Sequence, residues 1–174
     1  IKKYSKHIMV AVITIMIIVT GIQIGLRMHN ANKIATATAY ETAIENMDAN
    51  ALRALAESTG GATSDLAMFQ SYLLNKDEAT LEKLAKDGHS ADFRDLAKLH
   101  IIGIRGDKMS GADVEKYLAD LDTKNSPFYY TASLTIAQKY LSEGNTDAAN
   151  KWLDKIINDK DAPASISGTA QTLR

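Results

Sequence analysis

Apolar residues recur at the spacing of an α-helix through most of this chain. The clearest stretch places Ala149, Trp152, Leu153, Ile156 and Ile157 on one side and polar residues on the other. This spacing is typical of a surface helix with one buried stripe. Similar stretches begin near residues 40, 93 and 114. The pattern predicts an all-α protein.

Turn-forming residues separate these stretches. The residues placed as N-caps are Asp48, Asp77, Ser90, Ser110 and Ser126, and Pro127 suits the first helical position after the last of them. Glycines at 60–61, 88, 106 and 144 stand where helices end. The sequence therefore predicts helices near 32–47, 49–58, 64–75, 78–87, 91–105, 111–122, 127–143, 146–159 and 163–173. Short connections between them favour antiparallel hairpins.

The amino-acid composition after residue 26 agrees with this helical pattern. From residue 27 onward the chain contains 24 alanines but a single valine, Val114. A β-sheet domain needs more β-branched residues than this. The composition therefore also favours helices.

Residues 8–26 form an uncharged run of 19 residues. As a helix this run is about 28 Å long, close to the thickness of a bilayer core. Because Arg27, Met28 and His29 follow it instead of a small-residue cleavage site, we interpret it as an uncleaved signal-anchor and not as a signal peptide. Within it, Gly21 and Gly25 with Gln23 between them predict a contact with another transmembrane helix.

The charges that flank this run predict its orientation. Lys2, Lys3 and Lys6 precede it, whereas only Arg27 and Lys33 follow within the next twenty residues. The positive-inside rule then places residues 1–7 in the cytoplasm as a stub and residues 27–174 on the periplasmic side as one helical domain. Downstream of the stub there are 17 basic and 21 acidic residues, so we expect no nucleic-acid partner.

One segment resembles a known repeat. In residues 132–163, Ala137 and Ala149 take the small positions where two helices touch, Tyr140 the aromatic position and Leu153 the large one, while Gly144 takes the turn. This arrangement resembles a tetratricopeptide repeat, although Ser133 replaces the usual aromatic residue and Pro163 comes late. The pairs Leu66-Ala67, Leu96-Ala97 and Ile136-Ala137 recur at offsets of 30 and 40 residues, which bracket the repeat length of 34.

With its basic stub and signal-anchor, the whole chain resembles the single-span tetratricopeptide-like family of Gram-negative inner membranes. The best-described member of that family is the ancillary subunit of the SecYEG translocon. The resemblance implies a periplasmic adaptor or chaperone-adaptor domain, with the translocon or another membrane complex as partner.

The same resemblance implies a partner-binding groove. In tetratricopeptide stacks the first helix of each hairpin lines the concave side. Counting back from the turn glycines 106 and 144 selects Phe93, His100, Ile104, Thr131, Gln138 and Leu141, together with Leu96 and Leu134, which serve equally well as core residues. The mixed polarity suits an extended or helical peptide.

Catalytic chemistry has no support in the sequence. The four histidines are not paired at helical spacing, there is no cysteine, and no phosphate-binding glycine loop or nucleophile motif is present. We therefore predict no enzyme activity, no metal, no cofactor and no small-molecule substrate.

The sequence leaves two functions open, a membrane-anchored scaffold or chaperone-adaptor and a structural accessory subunit of a larger membrane complex.

The last predicted helix places Ile166, Ala170 and Leu173 on one side. With no capping helix after them, we expect either more chain beyond Arg174 or a partner that covers this stripe.

Overall fold

The structure, a computed structural model, describes residues 34–121 and 125–174, and within these residues it is all helical, as the sequence predicts. The described helices are α1 (Ile34–Glu45), α2 (Ala49–Ser58), α3 (Gly61–Asn75), α4 (Glu78–Asp87), α5 (Ala91–Arg105), α6 (Gly111–Tyr117), α7 (Tyr129–Ser142), α8 (Thr146–Ile157) and α9 (Ala164–Leu173). Short 3₁₀ turns cover Gly106–Lys108 and Ala119–Leu121. The helices form two compact units that divide within α5, after Ala97.

Small residues let the first three helices of the first unit approach closely. Ala43, Leu52, Ala56 and Ala67 form a buried cluster that joins α1, α2 and α3. Two serines of α3 donate hydrogen bonds to backbone carbonyls of α2, Ser64 to Ala56 at 2.6 Å and Ser71 to Ala49 at 2.8 Å. Because each buried hydroxyl finds a carbonyl acceptor, this polar contact stabilises the close packing instead of opposing it.

A buried carboxylate fixes the start of α5. Asp65 on α3 has a side chain that is only 3% exposed. Its two oxygens accept hydrogen bonds from the backbone N–H groups of His89 at 3.0 Å and Ser90 at 2.6 Å. These amides lie at the positive end of α5, where an anion is favourable. Ser90 therefore contacts α3 through its backbone N–H, which donates to Asp65.

The second unit is built around α7. Nine of its fourteen residues are buried, including the continuous run from Thr131 to Ala137. Ala137 and Ala149, at the predicted crossing of α7 and α8, are both fully buried. Trp152, expected in the core, is 7% exposed, and Leu153 is fully buried beside it.

The C-terminal helix α9 packs on this hairpin. Ile166 and Ala170 are 5% and 0% exposed, and α9 contacts both α7 and α8. These two residues of the predicted stripe are therefore already covered within the unit, while further chain beyond Arg174 or a covering partner stays a prediction. Their stripe faces the unit's own core, and Arg174 reinforces the contact through an ion pair with Asp154 of α8 at 3.0 Å.

Local capping agrees with the sequence at some helix ends and not at others. The side chains of Asp48, Asp77 and Ser110 accept hydrogen bonds from the first-turn amides of α2, α4 and α6, as predicted. Ser126 does not start α7, because the chain makes a turn there and the helix begins at Tyr129. The predicted helix over 111–122 ends at Tyr117 and continues as a 3₁₀ turn.

Two helix turns share one geometry. After α1, the N–H of Asp48 bonds the carbonyl of Ala43 and the N–H of Met47 bonds that of Ile44. After α7, the N–H groups of Asn145 and Gly144 make the same pair of bonds to Tyr140 and Leu141. The residue that turns the chain has a positive φ in both cases, 51° at Met47 and 78° at Gly144. Glycine suits this position best because it has no Cβ.

Because Met47 and Gly144 occupy the same position in the two turns, substitutions at these two residues should change the stability in opposite directions. Replacing Met47 with glycine should raise the free energy of unfolding by about 1 kcal/mol, because it removes the Cβ strain of the left-handed conformation. Replacing Gly144 with alanine should lower it by about the same amount, although the added Cβ meets no atom within 4 Å. Urea titrations of the two variants and the wild type measure both effects. Shifts of the same sign in the two variants would contradict the shared geometry.

Candidate partner-binding surface

The groove residues predicted on α5 fall in different units. Phe93 belongs to the first unit, is 2% exposed and packs against Phe69 with ring centroids 6.4 Å apart. His100 and Ile104 belong to the second unit, where His100 is half-buried and Ile104 is 42% exposed. Of these three residues, only His100 and Ile104 reach solvent.

The candidates on α7 also differ in accessibility. Thr131 is 8% exposed and its carbonyl accepts a hydrogen bond from the hydroxyl of Thr135 at 2.8 Å. Gln138 and Leu141 are half-buried. The neighbouring Leu134 is buried, as is Leu96 on α5, which agrees with their alternative interpretation as core residues. The accessible members of the predicted set are therefore His100, Ile104, Gln138 and Leu141.

The packing of α6 against α7 holds the C-terminal half of α7, which carries Gln138 and Leu141. The hydroxyl of Tyr140 donates a hydrogen bond to Glu115 of α6 at 2.5 Å. One turn from Tyr140, the Glu143 carboxylate accepts a hydrogen bond from the backbone N–H of Gly111 at 2.7 Å. Gly111 lies so close to the Tyr140 ring that a Cβ there would stand 2.5 Å from a ring carbon. These contacts fix the direction in which α7 presents its partly exposed side chains.

The hydrogen bond to Glu115, with burial as a second cause, raises the pKa of Tyr140 to about 12 from its usual 10.0. Between these two pH values the unfolded chain releases the phenol proton while the folded chain keeps it. The stabilisation from this group is therefore complete below pH 10 and is lost as the pH rises toward 12.

A Tyr140→Phe variant tests this pH dependence. The stability difference between the wild type and the variant should shrink as the pH rises from 9 to about 12, because the variant has no phenol to titrate. Trp152, the single tryptophan, reports unfolding of the same unit by fluorescence. Glu115→Gln should also weaken the pH dependence, because it removes the charged acceptor. A wild-type advantage that stays constant over this range would refute the assigned contact.

Sequence reasoning missed several contacts of this unit. Lys98 donates a hydrogen bond to Asp120 at 2.7 Å, which lowers the pKa of that carboxyl group. Tyr130 donates one to Asp159 at 2.9 Å and so joins the start of α7 to the segment after α8. The partners lie 22 and 29 residues apart. No periodicity signals a pair at such separations, since only the fold brings the residues together.

The predicted membrane segment lies outside the described residues. The transmembrane contact residues Gly21, Gln23 and Gly25, and the whole apolar run 8–26, precede the described part of the chain. Among residues 34–121 and 125–174, no helix is long and apolar enough to cross a bilayer. In the same residues, no three histidine, cysteine or acidic side chains are grouped as metal ligands would be.

The described part of the chain belongs to the class of all-α proteins that are built from short helical hairpins. Comparisons with protein-family models, with curated proteins and with solved structures found no match to this chain.

Proposed function

We propose that this protein is a membrane-anchored protein-interaction scaffold or chaperone-adaptor whose helical domain lies on the periplasmic side of the inner membrane. The observation that supports it most is the α7–α8 hairpin. Its crossing point carries two fully buried alanines, Ala137 and Ala149, and its turn carries Gly144 at positive φ. These are the features on which the tetratricopeptide resemblance rests, and such hairpin stacks present extended binding surfaces for other proteins.

The membrane anchor in this proposal is the apolar run 8–26. Its 19 uncharged residues and the lysines before it support a single span with the N-terminus in the cytoplasm. A reporter that fluoresces only in the cytoplasm, fused after Arg174, should stay dark while the fusion is present in the membrane fraction. Bright fusions would overturn the periplasmic assignment.

The partner in this proposal is a polypeptide that contacts the accessible residues of the predicted groove. Gln138 and the half-buried His100 are the polar members of this set, Ile104 and Leu141 are the apolar members, and all four residues are at least partly exposed. Such a mixture suits an extended or helical peptide that is held by a few side chains. It does not suit a charged chain terminus, which needs clustered basic residues.

The test of the groove is the double variant His100→Ala with Gln138→Ala. We expect it to reduce capture of partner proteins several-fold while leaving the melting temperature within a few degrees, because neither side chain is fully buried. Lys151→Ala, on the exposed face of α8, is the matched control and should capture partners as the wild type does. Unchanged capture by the folded double variant would refute the groove.

A permanent accessory subunit is the second candidate. The motif of Gly21, Gln23 and Gly25 favours it, because small residues and one amide on a membrane helix promote lasting contact with another helix. Affinity purification in mild detergent separates the two functions. Substoichiometric clients that exchange support the adaptor, whereas one partner at fixed stoichiometry, lost in a Gly21→Leu/Gly25→Leu variant, supports the subunit.

A further inference from the structure

Met47 stands out among the described residues by the combination of its exposure and its backbone. It is 76% exposed, whereas the next most exposed large hydrophobic residues in the described part of the chain, Ile104 and Leu74, are 42% and 39% exposed. Its φ of 51° lies in the left-handed region, where an L side chain is strained. Gly144 fills the equivalent position in the α7–α8 turn. The turn geometry therefore does not require a thioether.

The two other described methionines are more protected. Met68 packs against the buried cluster of Ala43, Leu52, Ala56 and Ala67, and Met109 is half-buried after the first 3₁₀ turn. Oxidation of methionine follows access of the oxidant to the sulfur. Among these three thioethers, the structure leaves Met47 by far the most open to a small oxidant in solution.

We propose that Met47 is a surface oxidation site that reacts with hydrogen peroxide ahead of the methionines packed in the fold. The Met47 sulfur attacks one peroxide oxygen, the O–O bond breaks and a sulfoxide forms. The leaving hydroxide takes the proton from the transferred oxygen and becomes water, so sulfur loses two electrons and peroxide gains two.

Oxidation at this turn leaves the helical core intact. A sulfoxide is polar and disrupts a core when it replaces a packed thioether. At Met47 the new oxygen enters solvent, because the side chain is exposed and the hydrogen bonds of the turn use only the backbone. The same reaction at Met68 places a polar group against the alanine and leucine side chains of the first unit. Met47 is therefore a site at which this fold tolerates oxidation.

Peptide mapping of the full chain after peroxide treatment tests the proposal. Trypsin releases the three methionines in separate peptides, 34–53, 54–76 and 109–116, each of which contains one methionine. In the folded protein, Met47 should gain one oxygen at least about threefold faster than Met68 or Met109, and in denaturant the three rates should converge. Protein oxidised only at Met47 should keep its melting temperature within about 1 °C.

The Met47→Leu variant is the control for the peptide assignment, and its 34–53 peptide should gain no oxygen. Equal or slower oxidation of Met47 in the folded chain would overturn the proposal. So would a large fall in melting temperature after oxidation at Met47 alone.

Discussion

Replacement of Gly111 by alanine should destabilise the second unit by about 1–3 kcal/mol, the cost typical of overpacking. The new Cβ would lie 2.5 and 2.6 Å from two ring carbons of Tyr140 and 2.8 Å from a carboxylate oxygen of Glu143. Tyr140 cannot move away without stretching its hydrogen bond to Glu115, and Glu143 cannot move without losing the N–H of Gly111. The strain therefore acts on both contacts between α6 and α7.

Urea denaturation followed by the fluorescence of Trp152 measures this loss in the unit that contains Gly111. Gly168→Ala is the matched control, because Gly168 lies within α9 and a Cβ there meets no atom within 4 Å. The control should gain about 0.5–1 kcal/mol from the better helix propensity of alanine. A stabilised Gly111→Ala variant would show that α6 does not approach α7 as closely as described.

Replacement of Asp65 by asparagine should destabilise the first unit by about 1–3 kcal/mol, the range for a buried donor left without an acceptor. Asp65 uses both carboxylate oxygens, one for the N–H of His89 and the other for that of Ser90. Asparagine keeps one acceptor but places an NH₂ group against the second donor. In this variant, the connection between α4 and α5 is no longer held to α3 by both hydrogen bonds.

Amide hydrogen exchange measures this effect locally, and peptides over 88–97 should lose protection more than those over α8. Asp87→Asn is the matched control, since Asp87 is exposed at the C-terminal end of α4. Its replacement should be neutral or slightly stabilising, because a negative charge there opposes the helix dipole. Equal protection in the Asp65 and Asp87 variants would contradict the structural role of Asp65.

The sequence predicted the helical class and most helix bounds because those depend on local physics. Residues 49–58, 78–87 and 91–105 were predicted as helices and occur as α2, α4 and α5. At each of α2 and α4 an aspartate stands where its side chain caps the first turn. The errors lie where local signals compete, as at Ser126, where a serine and a proline favour a helix start but the chain makes a turn before Tyr129.

The predicted groove shows the limit of the same reasoning. The register of the tetratricopeptide resemblance selected residues on the first helix of each hairpin, but it did not distinguish a side chain that meets another helix from one that meets solvent. Phe93 and Thr131 turned out buried, whereas Ile104 is exposed. For Phe93 the aromatic partner, Phe69, lies 24 positions earlier in the chain. The groove itself stays a prediction.

The sequence by itself determined the features that depend on residues close together in the chain. These are the amphipathic stripes, the helix caps at Asp48, Asp77 and Ser110, and the turn at Gly144. What only the tertiary structure decided are contacts between distant positions. The Asp65 carboxylate meets amides 24 and 25 residues away, and Tyr140 meets Glu115 across 25 residues. Close packing selects such partners, since a buried polar group must meet whichever complementary group the fold brings to it.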